Sequence, residues 1–119
     1  MRPLQRWEDV CRLFRKRDPG APLILIRAFV AIAANPDVEM SQAELGKVLG
    51  DDKPVVGPVI SNCVGRLGSH GAAGGPTLYL IDVKPDPESR RTNRLRLTAR
   101  GRDLAMAMRD ILVGRGKNE

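Results

Sequence analysis

Apolar residues recur along this chain first at helical spacing, then at strand spacing, then at helical spacing again. Leu4, Trp7, Val10, Cys11 and Phe14 fall on one stripe, which predicts a helix over residues 4–17. Arg2, Arg6, Arg12, Arg15, Lys16 and Arg17 lie beside or opposite that stripe as a solvated flank. Asp18-Pro-Gly-Ala-Pro breaks the pattern. Residues 23–34 are apolar nearly all round, with Leu23, Ile26, Phe29, Val30 and Ala33, and this predicts a buried central helix. Asn35-Pro-Asp ends it, and the alternation over residues 38–40 predicts a very short strand.

Residues 41–67 read as two short helices joined by a tight turn. Ser41 and Glu44 form a capping box, the hydroxyl taking a first-turn N–H and the carboxylate reaching back to residue 41. Ala43, Leu45, Val48 and Leu49 supply the apolar face, and Gly50 suits a left-handed stop. Asp51 or Asp52 caps the next helix. In that helix Val56, Val59, Ile60, Cys63 and Leu67 face a core, while Lys53, Gly57, Ser61, Asn62, Gly65 and Arg66 face outward without a carboxylate. Two starts stay open: Lys53 or Pro54, with Pro58 as a kink, or Pro58 itself after an irregular lead-in.

Beyond this helix, residues 68–76 hold four glycines and read as a mobile connection. They are not a phosphate-cradling loop, since no Lys-Ser/Thr closes them and no strand precedes them. Residues 77–84 and 91–98 then read as two strands around the turn 85–90. Leu95 and Leu97 face one side, Arg94 and Arg96 the other, with Arg90 and Arg91 at or near the tip. Thr98 caps a last helix over residues 99–113, whose stripe is Leu104, Ala107, Met108, Ile111 and Leu112. Residues 114–119 read as a frayed, flexible tail.

With 119 residues the chain fits one domain. Aromatics make up only 3%, so the core must be aliphatic. No run is long enough to span a bilayer, the N-terminus lacks the apolar centre of a signal peptide, and the two cysteines have no framework spacing. A cytoplasmic, nucleoid-associated location is therefore expected. The net charge of +6 is uneven. Residues 1–17 carry six basic and two acidic side chains, residues 18–52 two and six, and residues 53–102 nine and three. Positive charge is thus concentrated in the acid-free helix and the residues after it, the footprint of a nucleic-acid binder.

Enzyme chemistry finds no support. His70, the single histidine, sits in the glycine-rich stretch without a partner residue. Cys11 and Cys63 lie on core stripes, and with one histidine they make no zinc set. Glu44, Asp51 and Asp52 are absorbed by capping. No metal and no cofactor is expected.

The order helix, helix, short strand, capped helix, acid-free helix, arginine-bearing hairpin, helix resembles a winged helix-turn-helix. Within that group Asp86-Pro-Glu-Ser-Arg-Arg91 and Leu95-Arg-Leu-Thr-Ala-Arg-Gly-Arg102 resemble the wing motif and the following Leu-Thr-x-x-Gly of the MarR family of bacterial transcriptional regulators. The likeness covers about residues 22–104. Ser89 stands where that family usually has an Asp bracing the wing arginine, and Pro54, Gly57 and Pro58 replace Ser/Thr/Arg-type residues. The short chain is similar to MarR-type proteins of phages and mobile elements.

The resemblance implies an α+β, mainly helical fold with a DNA-binding core over residues 22–98. It also implies a dimerisation lobe made by helices 1–17 and 99–113. The expected partner is double-stranded DNA, bound by a homodimer on a pseudo-palindrome. Lys53, Ser61 and Asn62 would meet base edges and Arg66 a phosphate, while Arg90, Arg91, Arg94 and Arg96 would serve the wing, with Arg91 in the minor groove. Leu4, Trp7, Cys11, Phe14, Leu104, Met108, Ile111 and Leu112 would form the dimer interface. A family-like ligand pocket would lie between the dimer helices and the reading unit, and the scarcity of aromatics there argues against one. Two competing readings remain. One is a winged-helix module binding a host or regulatory protein through Trp7 and Phe14. The other is a replication or partition accessory protein.

Overall fold

The computed structural model describes residues 2–50, 57–68 and 78–114, without the side chains of residues 2, 86 and 89–92. The fold is α+β and mainly helical. In chain order it runs α1 (Arg2–Arg17), α2 (Leu23–Ala33), β1 (Met40–Ser41), α3 (Gln42–Leu49), α4 (Gly57–Leu67), β2 (Ile81–Asp86), β3 (Ser89–Leu97) and α5 (Ala99–Val113). One antiparallel sheet has the order β1-β3-β2. Among the described residues no helix is long and apolar enough to cross a membrane.

The local signals act largely as the sequence suggests. Ser41 Oγ accepts from the Glu44 N–H at 3.0 Å, and the Glu44 carboxylate accepts from the Ser41 N–H at 3.3 Å, closing the capping box. Thr98 caps α5 by accepting from the Gly101 N–H. Gly50 departs from expectation: it ends α3 in an extended conformation, φ −84° and ψ 150°. The left-handed stop belongs instead to Gly114 behind α5, φ 79°. The short strand sits at Met40–Ser41 rather than residues 38–40, because its partners on β3 are Leu95 and Arg94.

The described part of α4 runs Gly57–Leu67 and holds Pro58 at its second residue. Its expected lead-in from Lys53, and the caps Asp51 and Asp52, lie outside the described residues. So do His70, most of the glycine-rich stretch and residues 115–119 of the tail.

Packing centres on α2, which touches α3, α4, α5 and β3. Phe29 is fully buried there and meets the equally buried Phe14 of α1, ring centroids 5.7 Å apart. A buried aromatic pair of this kind adds roughly 0.5–1.5 kcal/mol beyond the area it hides. α2 is not enclosed all round, as its near-continuous hydrophobicity suggested. Leu23 and Val30 stay exposed, because its neighbours cover the side holding Leu25, Ile26, Ala28, Phe29 and Ile32. On α3, likewise, Leu45 and Leu49 are buried while Ala43 and Val48 face outward.

The hairpin is longer toward its tip than expected. β2 and β3 pair regularly from Ile81↔Leu97 to Pro85↔Asn93, and the next pair is Asp86↔Ser89. Residues 90–92 of β3 are thus left without β2 partners. Pro85 stands where the regularity ends. Leu95 and Leu97 are buried and Arg96 is exposed, as the alternation required.

The end of α4, the root of the hairpin and the start of α5 meet at Leu80. Its N–H donates to the Leu67 carbonyl at 2.7 Å, and its own carbonyl accepts from the Thr98 N–H at 3.0 Å. The first turn of α5 passes directly over it, and a Cβ on Gly101 would lie 2.0 Å from the Leu80 oxygen. Gly101→Ala is therefore expected to cost about 3 kcal/mol or more in chemical denaturation, since the obstacle is backbone. A Cβ on Gly57 meets no described atom within 4 Å outside its chain neighbours, so Gly57→Ala should cost far less, limited to the restriction that Pro58 places on the residue before it.

Candidate nucleic-acid interface

α4 is held by its buried side. Ile60, Cys63, Val64 and Leu67 are buried, and the helix packs on α2 and α3. Gly57, Pro58, Ser61 and Asn62 are exposed on the opposite side, and the helix contains no Asp or Glu. This surface offers hydrogen-bond donors and no negative charge, chemistry that suits a phosphate-lined groove. Lys53, expected to share in it, lies outside the described residues.

Arg66 is not free to serve as the expected phosphate contact. Its guanidinium is paired with Asp18, in the turn between α1 and α2, and Asp18 is only 17% exposed. The pair is charge-assisted and half-sheltered, so it ties α4 to the α1–α2 corner. Sequence inspection misses it because the partners stand 48 residues apart.

The second basic element is the β2–β3 hairpin. On its outward side Arg96 stands opposite Asp82, and Arg94 opposite Lys84. Arg96 is exposed and Arg94 half-buried. Arg90 and Arg91 fall in the part of β3 without partners on β2, and their side chains lie outside the described residues, as does that of Ser89.

α4 and the hairpin are joined by a residue the sequence did not single out. Gln42, first in α3, donates from Nε2 to Ser61 Oγ at 3.4 Å and accepts at Oε1 from Asn93 Nδ2 at 3.2 Å. One carboxamide therefore spans from α4 to β3. The only hint in the sequence is its position directly after the capping serine.

The residues expected at a dimer interface divide in two. Phe14, Leu104 and Met108 are buried by their own chain, at 0%, 1% and 5% exposure, because α1 packs along α5 and Phe14 meets Phe29 of α2. They are core residues, which corrects the expectation that they face a partner. Cys11 and Ile111 are half-buried, whereas Leu4, Trp7 and Leu112 stay exposed. Trp7 and Leu112 line an apolar groove of about 580 Å³ together with Val30, Ala33, Ala105 and Met106. Arg6, expected in the solvated flank, donates to the Leu112 carbonyl at 3.2 Å, and Arg15 donates twice to the Ala21 carbonyl.

Among the described residues no group of His, Cys, Asp and Glu is placed to hold a metal ion. Comparison with protein-family models, curated proteins and solved structures finds no match to this chain.

Both thiols are pushed up from their ordinary range. Burial is the main cause for each. The Glu8 carboxylate adds to it at Cys11 against the opposing Arg15 guanidinium, and Arg66 opposes it at Cys63. Stability tied to these shifts is fully present below the ordinary thiol range and is lost as pH rises through the raised values. At pH 8 both cysteines in the folded chain should react with iodoacetamide more slowly than in urea-unfolded chain, Cys63 slowest. Mass-spectrometric labelling rates measure this, and equal folded and unfolded rates would contradict it.

Proposed function

We propose that this chain is a winged helix-turn-helix protein that binds double-stranded DNA as a homodimer and regulates transcription. In this reading α4 enters the major groove and the β2–β3 hairpin is the wing. The observation that carries it is the acid-free outer side of α4, with Ser61 and Asn62 exposed, held through Gln42 against an arginine-bearing hairpin. Ser61 and Asn62 meet base edges. Arg94 and Arg96 meet phosphate, joined by Arg90 and Arg91 near the hairpin tip. The likeness of residues 86–91 and 95–102 to MarR-family motifs supports the same assignment.

A second copy of the chain is the occupant proposed for the α1–α2–α5 groove, because the exposed apolar residues Trp7, Val30, Met106 and Leu112 gather there. Two copies about a twofold axis would meet half-sites one helical turn apart, about 34–36 Å. The same exposed groove also favours a second reading, a winged-helix module that binds a host or regulatory protein.

Selection of bound duplexes from a random pool, followed by titration at several salt concentrations, tests the DNA assignment. Asn62→Ala should cost about 1–3 kcal/mol on the selected site and relax the preference at one position. Arg96→Ala should weaken all sequences alike and lower the salt slope by about one. Salt-independent retention, or no selected sequence, would sink the assignment. In sedimentation experiments the wild-type chain should have the mass of a dimer, and Trp7→Ala should shift it toward monomer. A wild-type monomer at every concentration would remove the twofold operator from the proposal.

A further inference from the structure

We infer that Gln42 sets the hydrogen-bonding polarity of Ser61, and so determines which base edge Ser61 accepts as a partner without itself touching DNA. The inference rests on the DNA-binding reading above and deepens it. Gln42 is anchored on both sides. Ser41 before it is buried, paired in the sheet with Arg94 and closed into the capping box, and the first turn of α3 comes directly after. Its side chain spans partners 19 and 51 residues away.

The polarity follows from the orientation of the two carboxamides. Asn93 presents its NH₂ to Oε1, and in that orientation the other end of the Gln42 carboxamide, facing Ser61, is a donor. A hydroxyl has one proton and two lone pairs. With a lone pair occupied by Gln42 Nε2, the Ser61 proton is left to point at an acceptor outside the chain. In the major groove the acceptors are guanine O6 and N7, adenine N7 and thymine O4, whereas cytosine presents its N4 amino donor. Ser61 held this way favours guanine or thymine, tolerates adenine through N7 alone, and disfavours cytosine. Asn93 also faces Pro85, in the last regular pair before the unpartnered stretch of β3. The same carboxamide therefore fixes the base of the hairpin tip relative to α4.

Gln42→Glu separates this positioning role from simple loss of a contact. The glutamate has the same shape, and a negative charge in the first turn of a helix favours folding. Its carboxylate has only acceptors, so it still takes the Asn93 NH₂ but also takes the Ser61 proton, turning the serine lone pairs outward. Its charge weakens binding to every sequence, so base preference is the readout. Wild type, Gln42→Glu, Gln42→Met and Ser61→Ala are each put through selection from a random duplex pool, with thermal melts to check folding. In wild type one position per half-site should favour guanine or thymine over cytosine by about three- to tenfold, the worth of one hydrogen bond. Ser61→Ala and Gln42→Met should flatten that position, and Gln42→Glu should turn it toward cytosine or adenine. A Gln42→Glu protein with the wild-type preference at the position that Ser61→Ala flattens overturns the inference and leaves DNA binding standing. So does a selected site in which no position responds to Ser61→Ala. A wild-type chain that selects no duplex overturns both.

Discussion

The arrangement of this molecule depends on a backbone contact at Leu80. The last carbonyls of a helix have no partner within it. Here those of Arg66, Leu67 and Gly68 accept from the N–H groups of Leu78, Leu80 and Tyr79, so the segment that leads into β2 also closes α4. Tyr79 adopts φ 56° to do this, a left-handed conformation that side chains other than glycine seldom take. Its carbonyl is held by the Thr98 hydroxyl at 2.7 Å, and the same hydroxyl caps α5. The end of α4, the root of the hairpin and the start of α5 are thereby fixed by a few hydrogen bonds among Leu80, Tyr79, Thr98 and Gly101. The Leu-Thr-x-x-Gly pattern at residues 97–101 has a structural explanation: threonine supplies the cap, and glycine lets the helix pass over a carbonyl.

Arginine has two distinct uses. Arg6, Arg15, Arg66 and Arg102 are tied to backbone carbonyls or carboxylates of their own chain, Arg102 joining α5 to Pro36 and Asp37. Their planar, multi-donor heads make such ties more directional than lysine can. Fewer arginines are therefore left to the surface than the composition implies. Other exposed cations are spread over the helices, Lys16, Arg17, Arg27, Lys47 and Arg109 among them, while the outer side of α4 carries no acid.

What was legible in the sequence was whatever depends on neighbours close along the chain. The Ser41–Glu44 box, the Thr98 cap and the opposite directions of Leu95 and Arg96 each follow from a few adjacent residues. Partnership between distant residues was not legible. The stripe Leu4–Trp7–Phe14 announces that something must cover it, but amphipathicity does not say whether the cover is α2, α5 or another subunit. In fact Phe14 is taken by Phe29 and Trp7 is left out. Arg66 looked available because Asp18 is remote in sequence, and Gln42 looked unremarkable because its two partners lie on other elements. Tertiary packing made those choices.

The order β1-β3-β2 leaves β2 as the outer strand of the sheet, with its far side unpaired by any described strand. A long, regular border of that kind invites a strand from another molecule and, with it, sheet growth between chains. This one is short, bears Lys84, and reaches Pro85 before its last residue. A proline there denies an incoming strand the amide it would need, and the disrupted pairing opposite twists the tip out of line. The projecting ribbon can therefore stay solvent-facing at high local concentration without templating fibres.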